Sequence, residues 1–154
     1  MAQRTVVETI SGATLAISAT IPATYDQAGY EATNVVFTAI GEVENYGNHG
    51  VNKTIVEFTP VDTSVVTKLS GSKNYGTMAL TLGYLPSDAG QALLLTASES
   101  VAHYSIKLTY PDTEVHYLDV IVAKFEYQDG SVNDVQRLSV DIALTRAPVI
   151  VSQV

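Results

Sequence analysis

Two long alternating runs between Glu114 and Arg146 constrain this chain more than any other feature. In the second, Leu138, Val140, Ile142 and Leu144 share one parity, and Arg137, Ser139, Asp141 and Thr145 share the other. That is the period of a half-buried strand. The first run is mixed: Val115, Tyr117, Ile121, Ala123, Phe125 and Tyr127 fall on one parity, Leu118, Val120 and Val122 on the other. A strand apolar on both faces is expected to be covered on both. The linking residues Tyr127 to Ser131 contain Asp129-Gly130, a turn dipeptide, so the runs read as one antiparallel hairpin. A hairpin of this length is not stable alone and requires further strands or a neighbouring chain.

The preceding sequence supplies strands. Leu15 and Ile17 mark a short one, Val35 to Glu44 a second, Thr54 to Phe58 a third, Met78 to Tyr84 a fourth and Tyr104 to Tyr110 a fifth. Between the last two, Ser87 to Ser98 changes period, with Ala89, Ala92, Leu93 and Thr96 about one helical face apart. Asp88 followed by Gln91 resembles a capping box, and Pro86 stops the strand before it. This segment is the one helix expected, about three turns long and held by laying Leu93 on a sheet. The fold class that follows is mainly β: an antiparallel β-sandwich or half-barrel with one flanking helix, a long loop arm and extended termini.

Several segments look like loops yet carry apolar side chains. Thr59 to Asn74 is too long for a tight turn and holds Val61, Val65, Val66 and Leu69, which reads as an arm that packs on another copy or a flap over its own core. Ile21 to Asn34 is a polar connection holding Tyr25 and Tyr30, rings that either fold back or touch a neighbour. Residues 147–154 remain extended, with Val149, Ile150 and Val151 in a row, and residues 1–11 form an N-terminal arm. All of this fits one domain spanning residues 1–154.

Charge narrows the function classes. Charged residues make up only 16% of the chain, against about 25% in ordinary domains, as expected if other subunits cover part of the surface. The net charge of −8 argues against a phosphate-binding face, which needs a basic footprint. With no cysteine, thiolate metal sites, disulfides and cysteine nucleophiles are excluded. No apolar run approaches the ~20 residues that span a bilayer, and no secretory signal is visible, so no membrane partner is expected. Neither a nucleophile elbow, a zinc-protease motif, a P-loop nor a dinucleotide fingerprint is present. His49, His103 and His116 lack metal-ligand spacing, and His103 and His116, each on a strand beside polar residues, read as solvated or interface residues. No catalytic residue, metal or cofactor is expected.

The ordered set of segments resembles the tail tube (major tail) proteins of long-tailed, non-contractile bacteriophages, the lambda-like siphophage group. The residues carrying the resemblance are Phe37 to Asn45, Met78 to Leu95, Tyr104 to Leu108, Asp119 to Tyr127 and Val135 to Val149. The resemblance implies a structural subunit: six copies close a ring around a shared inner β-barrel, and rings stack helically into a hollow tube in the virion after assembly in the host cytoplasm. It implies as partners other copies of the chain, a tape measure protein in the lumen, terminator and distal tail or baseplate proteins at the tube ends, and double-stranded DNA that passes without specific binding. Under that reading an acidic wall repels DNA over about 8 Å at physiological salt. The carboxylates expected to line it are Glu42, Glu44, Glu57, Asp119, Glu126 and Asp141. The expected inter-subunit residues are Tyr25, Tyr30, Val61, Val65, Val66, Leu69, Val149, Ile150 and Val151. Two alternatives stay open: a tube protein of a contractile tail or injection machine, and a monomeric carbohydrate- or protein-binding sandwich.

Overall fold

A computed structural model describes residues 5–152. In chain order the elements are β1 (Thr14–Ser18), α1 (Gln27–Tyr30), β2 (Thr38–Ile40), β3 (Val43–Asn45), β4 (Asn52–Phe58), β5 (Thr67–Asn74), β6 (Thr77–Gly83), α2 (Ala89–Ser98), β7 (Tyr104–Thr109), β8 (Val115–Gln128), β9 (Arg137–Leu144) and β10 (Val149–Val151). The fold is mainly β and antiparallel, as the alternation requires.

One sheet runs β2-β1-β7-β8-β9-β6-β3, with β10 also paired to β8. Its two outermost strands, β2 and β3, are joined in the chain by Gly41 and Glu42 alone. The sheet therefore curls until its ends approach each other, giving a half-barrel instead of a flat layer. Expected as a single strand, Val35 to Glu44 is broken here because Glu42 takes a left-handed conformation (φ 60°), which ends one strand and starts the other on the far edge.

Helix α2 caps the curl. Asp88 is its N-cap, accepting from the Gln91 N–H at 3.0 Å and from the Gly41 N–H at 3.2 Å. Only half of the capping box forms. The Gln91 side chain turns away to donate to the Gly83 carbonyl (2.8 Å) and the Gly41 carbonyl (3.2 Å), and accepts from the Leu85 N–H (3.0 Å). Asp88 and Gln91 thus pin the β2–β3 link to the helix and seal the open side of the curl. Gly90 permits the contact, because a methyl there would run into the Ala39 carbonyl and the Ile40 Cα. The buried face of α2 is Gly90, Gln91, Leu94 and Ala97, not the expected face through Ala92 and Leu93, since Gln91 sets the rotation.

Inside lie Leu15, Ile17, Ile40, Met78, Leu80, Leu82, Ile106, Leu108, Leu118 and Val120, with Leu138, Val140, Ile142 and Leu144 of β9. The mixed parity of β8 has a local cause. Its register with β9 shifts between Val122, opposite Ile142, and Lys124, opposite Asp141. This β-bulge swaps the two faces. Before it Leu118, Val120 and Val122 point inward; after it Phe125 packs against the core opposite Val140, and Tyr127, opposite Leu138, stays half exposed at the end of the same face. The connection to β9 is also longer than a tight turn, running from Asp129 to Gln136, with Gly130 at φ 68° and Asp134 held by Ser131.

A second, smaller cluster covers the outer face of β8 before the bulge. Tyr30, Tyr117 and Val151 are buried there, with Tyr25, Phe37, Val115 and Val149 packed around them. The polar connection read from the sequence is therefore a fold-back, organised by the single turn α1 under the Asp26 cap.

Candidate functional site: the assembly surfaces

Strands β4 and β5 pair only with each other. The strand expected at Thr54 to Phe58 exists, but it is absent from the main sheet, and the expected loop arm 59–74 contains its partner. The projecting unit is thus a hairpin over residues 52–74. Val56 pairs with Leu69, Glu57 with Lys68 and Phe58 with Thr67. Gly71 sits at a register shift, where a side chain would press on the Thr54 carbonyl. The tip closes through the Ser64 N–H to the Pro60 carbonyl at 2.9 Å. Every residue of β4 is exposed; Phe58 is 59% exposed and Val61, at the tip, 98%. Val65, Val66 and Leu69 are exposed as well. A two-stranded ribbon with two open edges and bare apolar side chains lacks what normally stabilises a sheet.

At the root of the hairpin lies a constellation that sequence spacing does not reveal. His49 Nε2 and His116 Nδ1 are 2.8 Å apart, and His116 Nε2 lies 2.8 Å from Glu114 Oε1. The Tyr110 ring stands edge-on to His116. Burial, followed by the neighbouring His116, lowers the His49 pKa from its ordinary value. His116 is therefore packed within its own chain and not solvated. His49 and His116 are 67 residues apart, so only the β3–β4 link, folded over the start of β8, brings them together. Among the described residues, no three or more His, Asp or Glu are arranged to hold a metal ion. No helix among them is long and apolar enough to cross a membrane.

The other expected inter-subunit residues divide. Tyr30 is 2% exposed and stacks on Tyr117 with ring centroids 5.0 Å apart, so it serves its own chain. Burial, then Asp119, raises its pKa. Tyr25 is half-buried beneath the Arg146 guanidinium, 3.8 Å from the ring centroid. Val149 and Val151 pack in the second cluster, because β10 adds to β8; Ile150 alone points outward. The C-terminal arm is thus docked at home through residue 151.

Of the six carboxylates expected on a wall, Asp119 is misplaced. It is 1% exposed, and its Oδ2 accepts from Thr145 Oγ1 (2.7 Å) and Arg146 Nε (3.3 Å) and lies 3.2 Å from His103 Nδ1. It ties the exit of β9 to β8 and faces no open surface. Glu42, Glu44, Glu57 and Glu126 are exposed and Asp141 is partly so. Glu57 belongs to the hairpin. Glu44 pairs with Arg137 at 2.6 Å, while Lys124 lies 3.6 Å from Asp141 and 3.7 Å from Glu126. These pairs stand on the outer face of β3, β6, β9 and the second half of β8. The rest of that face is small: Thr77, Ala79, Thr81 and Gly83 of β6, with Ser139 and Ala143 of β9. Unlike the face under Tyr30, it has no cover among the described residues.

No protein-family model matches the chain, and no curated protein does. Solved structures do. A chain of the PVC sheath/tube terminator in the extended state, from an extracellular contractile injection system, superimposes with a TM-score of 0.68 at 8% identity, over 96% of this chain and 98% of that one. A chain of the anti-feeding prophage baseplate, 6-fold symmetrised, matches with a TM-score of 0.65 at 9% identity, over 99% and 98%. The SPP1 tail tube matches with a TM-score of 0.63 at 15% identity, over 95% and 81%. The curled sheet, its capping helix and its projecting hairpin are thus a tail tube-like fold.

Proposed function

We propose that this chain is the non-catalytic structural subunit of a bacteriophage tail tube, a single tube domain whose copies close into six-membered rings that stack. The observation that carries the reading is the 52–74 hairpin, whose exposed apolar side chains and outer strand edges find no partner among the described residues. A ring whose contacts close, stacked through contacts that do not, supplies partners for both. The tail tube-like fold supports the same role.

The bare outer face of β3, β6, β9 and β8 is the wall of the lumen. Small hydroxyl and methyl side chains make it smooth, and its carboxylates stand beside Arg137 and Lys124. Such a wall neither grips phosphates by counterion release nor repels them far. Passing DNA and a tape measure protein slide along it, with terminator and distal tail or baseplate proteins closing the ends, and the tube resides in the virion. A non-contractile siphophage is the favoured source.

The likeness to a sheath/tube terminator favours a second reading, in which the chain forms one ring that ends a tube of a contractile system. Negative-stain microscopy of the purified full chain, over rising concentration, separates the two. Stacked rings support the tube subunit. Single rings that never stack support the terminator. A chain that stays monomeric at every concentration overturns both.

A further inference from the structure

The hairpin has a matching surface on the opposite pole of the same molecule. Strand β6 starts just after the hairpin root and ends just before α2. At about 3.3 Å per residue it sets the two poles about 20 Å apart. At the far pole, Tyr84, Leu85, Pro86, Leu95, Phe125 and Tyr127 frame an apolar notch of about 100 Å³. The Tyr127 ring stands edge-on to both Tyr84 and Phe125, at 5.3 and 5.6 Å, and fixes the floor. Leu85, Leu95 and Tyr127 remain exposed around it. The space suits one branched aliphatic side chain.

Charge separates the same two poles. The hairpin carries Lys53, Lys68 and Lys73 against Glu57 and Asp62, a net +1 in a chain of net −8, so the remainder carries −9. None of the three lysines makes an ion pair among the described residues. Beside the notch, the β8–β9 loop presents Asp129 and Asp134, both exposed. The Ser131 N–H and hydroxyl hold Asp134 below the usual carboxylate pKa, so it stays ionised.

We infer that the valine-bearing tip of the hairpin docks into the Tyr84–Leu95–Tyr127 notch of a second copy, head to tail, with its lysine shaft against the acidic β8–β9 loop. The contact is heterologous: donor and acceptor surfaces lie at opposite poles, so each copy that accepts a hairpin offers its own to the next. Apolar tip, apolar notch and opposite charge around them match as a closed, self-paired dimer would not. This rests on the stacked-ring reading and names the surface that receives the arm.

The absence of native cysteine makes the test clean. Full-length Val65→Cys and Leu95→Cys chains, each changed at an exposed site, are mixed under assembly conditions and mildly oxidised. The expected result is a disulfide-linked dimer in the mixture and none in either variant alone, with Val61→Cys and Val66→Cys as alternative tip probes. Tubes that form normally while no tip cysteine links to Leu95→Cys overturn the docking and leave the tube reading standing. Tip-to-tip links alone in assembled tubes also overturn it. A mixture that never assembles and sediments as monomer removes the tube reading and the docking together. Leu95→Glu is the companion variant: folded by circular dichroism, it is expected to lose stacking, and unchanged stacking counts against the notch.

Discussion

The molecule contains two large hairpins, and they differ in the one property that decides their roles. In β8–β9, the inward residues Leu138, Val140 and Ile142 meet β6, α2 and the rest of the core, and all are fully buried. In β4–β5, Val56, Phe58 and Leu69 alternate in the same way but stay about half exposed, with no part of the core over them among the described residues. Both ribbons are apolar on one side because both are built to be covered. Alternation therefore reports the need for a partner, not where that partner comes from. The long hairpin finds it within the chain, since β6, β7 and β10 are available to pair. The short one leaves the sheet at Asn52 and rejoins it after Asn74, so no further strand among the described residues pairs with it, and the proposed contact with another copy would supply the cover.

Ile142→Asp is expected to have the largest effect and to break the long hairpin. Ile142 is 0% exposed, so the change forfeits about 1.5–3 kcal/mol of burial and adds several kcal/mol for the buried charge. That approaches the whole stability of a domain, about 5–15 kcal/mol. The variant should be unfolded or insoluble, judged by circular dichroism; a normal melting curve would overturn the assigned strand face. Gln91→Ala comes next. It strands the Gly41 and Gly83 carbonyls and the Leu85 N–H, at about 1–3 kcal/mol for each group left without a partner. A lowered melting temperature with the fold retained is expected, and an unchanged one would mean the curl closes without this clasp.

How far the sequence disclosed this depended on whether an element answers to local rules. Strand β9 was fully legible, because period two with a single buried face has one solution. The start of α2 was legible through Pro86, Asp88 and Gln91, but its rotation was not, since Gln91 bonds two carbonyls that no local pattern specifies. Strand β8 looked two-faced because a bulge near Ala123 cannot be read from composition. Val35 to Glu44 looked continuous because a non-glycine residue at positive φ leaves no mark in an alternating pattern. In the expected loop arm, Val61, Val65, Val66 and Leu69 are exposed, yet from Thr67 on the segment is a strand, and its partner is the strand read at Thr54 to Phe58. Asp119 and Tyr30 failed as surface candidates for one reason. Their cover comes from residues far away in sequence: Tyr30 stacks on Tyr117, and Asp119 is held by His103, Thr145 and Arg146.

Val65→Asp combined with Val66→Asp sharpens the contrast from the other side. Both positions are exposed, so the melting temperature of the isolated chain should move by no more than about 0.5 kcal/mol would imply. Assembly should be lost, since the tip then presents two carboxylates where it presented methyl groups. A melting temperature that falls as far as that of Gln91→Ala would show the hairpin packs on its own body and would erase the distinction between the two ribbons.

The smallest effect is expected where the two regions join. His49 and His116 face each other at 2.8 Å, close enough to share one proton but not to hold two, and Glu114 accepts from the far side of His116. Burial and His116 depress the His49 pKa in the folded chain, so below the ordinary value of 6.5 the unfolded chain binds a proton that the folded chain refuses. The stability from keeping His49 neutral is present above that pH and is lost as pH falls through the folded value. Melting temperatures recorded from about pH 7.5 to 5 should therefore drop more steeply for the native chain than for His49→Asn, which has no proton to gain there. Hydrogen exchange should place the loss at residues 49–52 and 74–77, the two links at the root, before it reaches β9. Parallel pH slopes for the two proteins would mean the imidazole pair does not hold the root, and that the hairpin is anchored by its backbone alone.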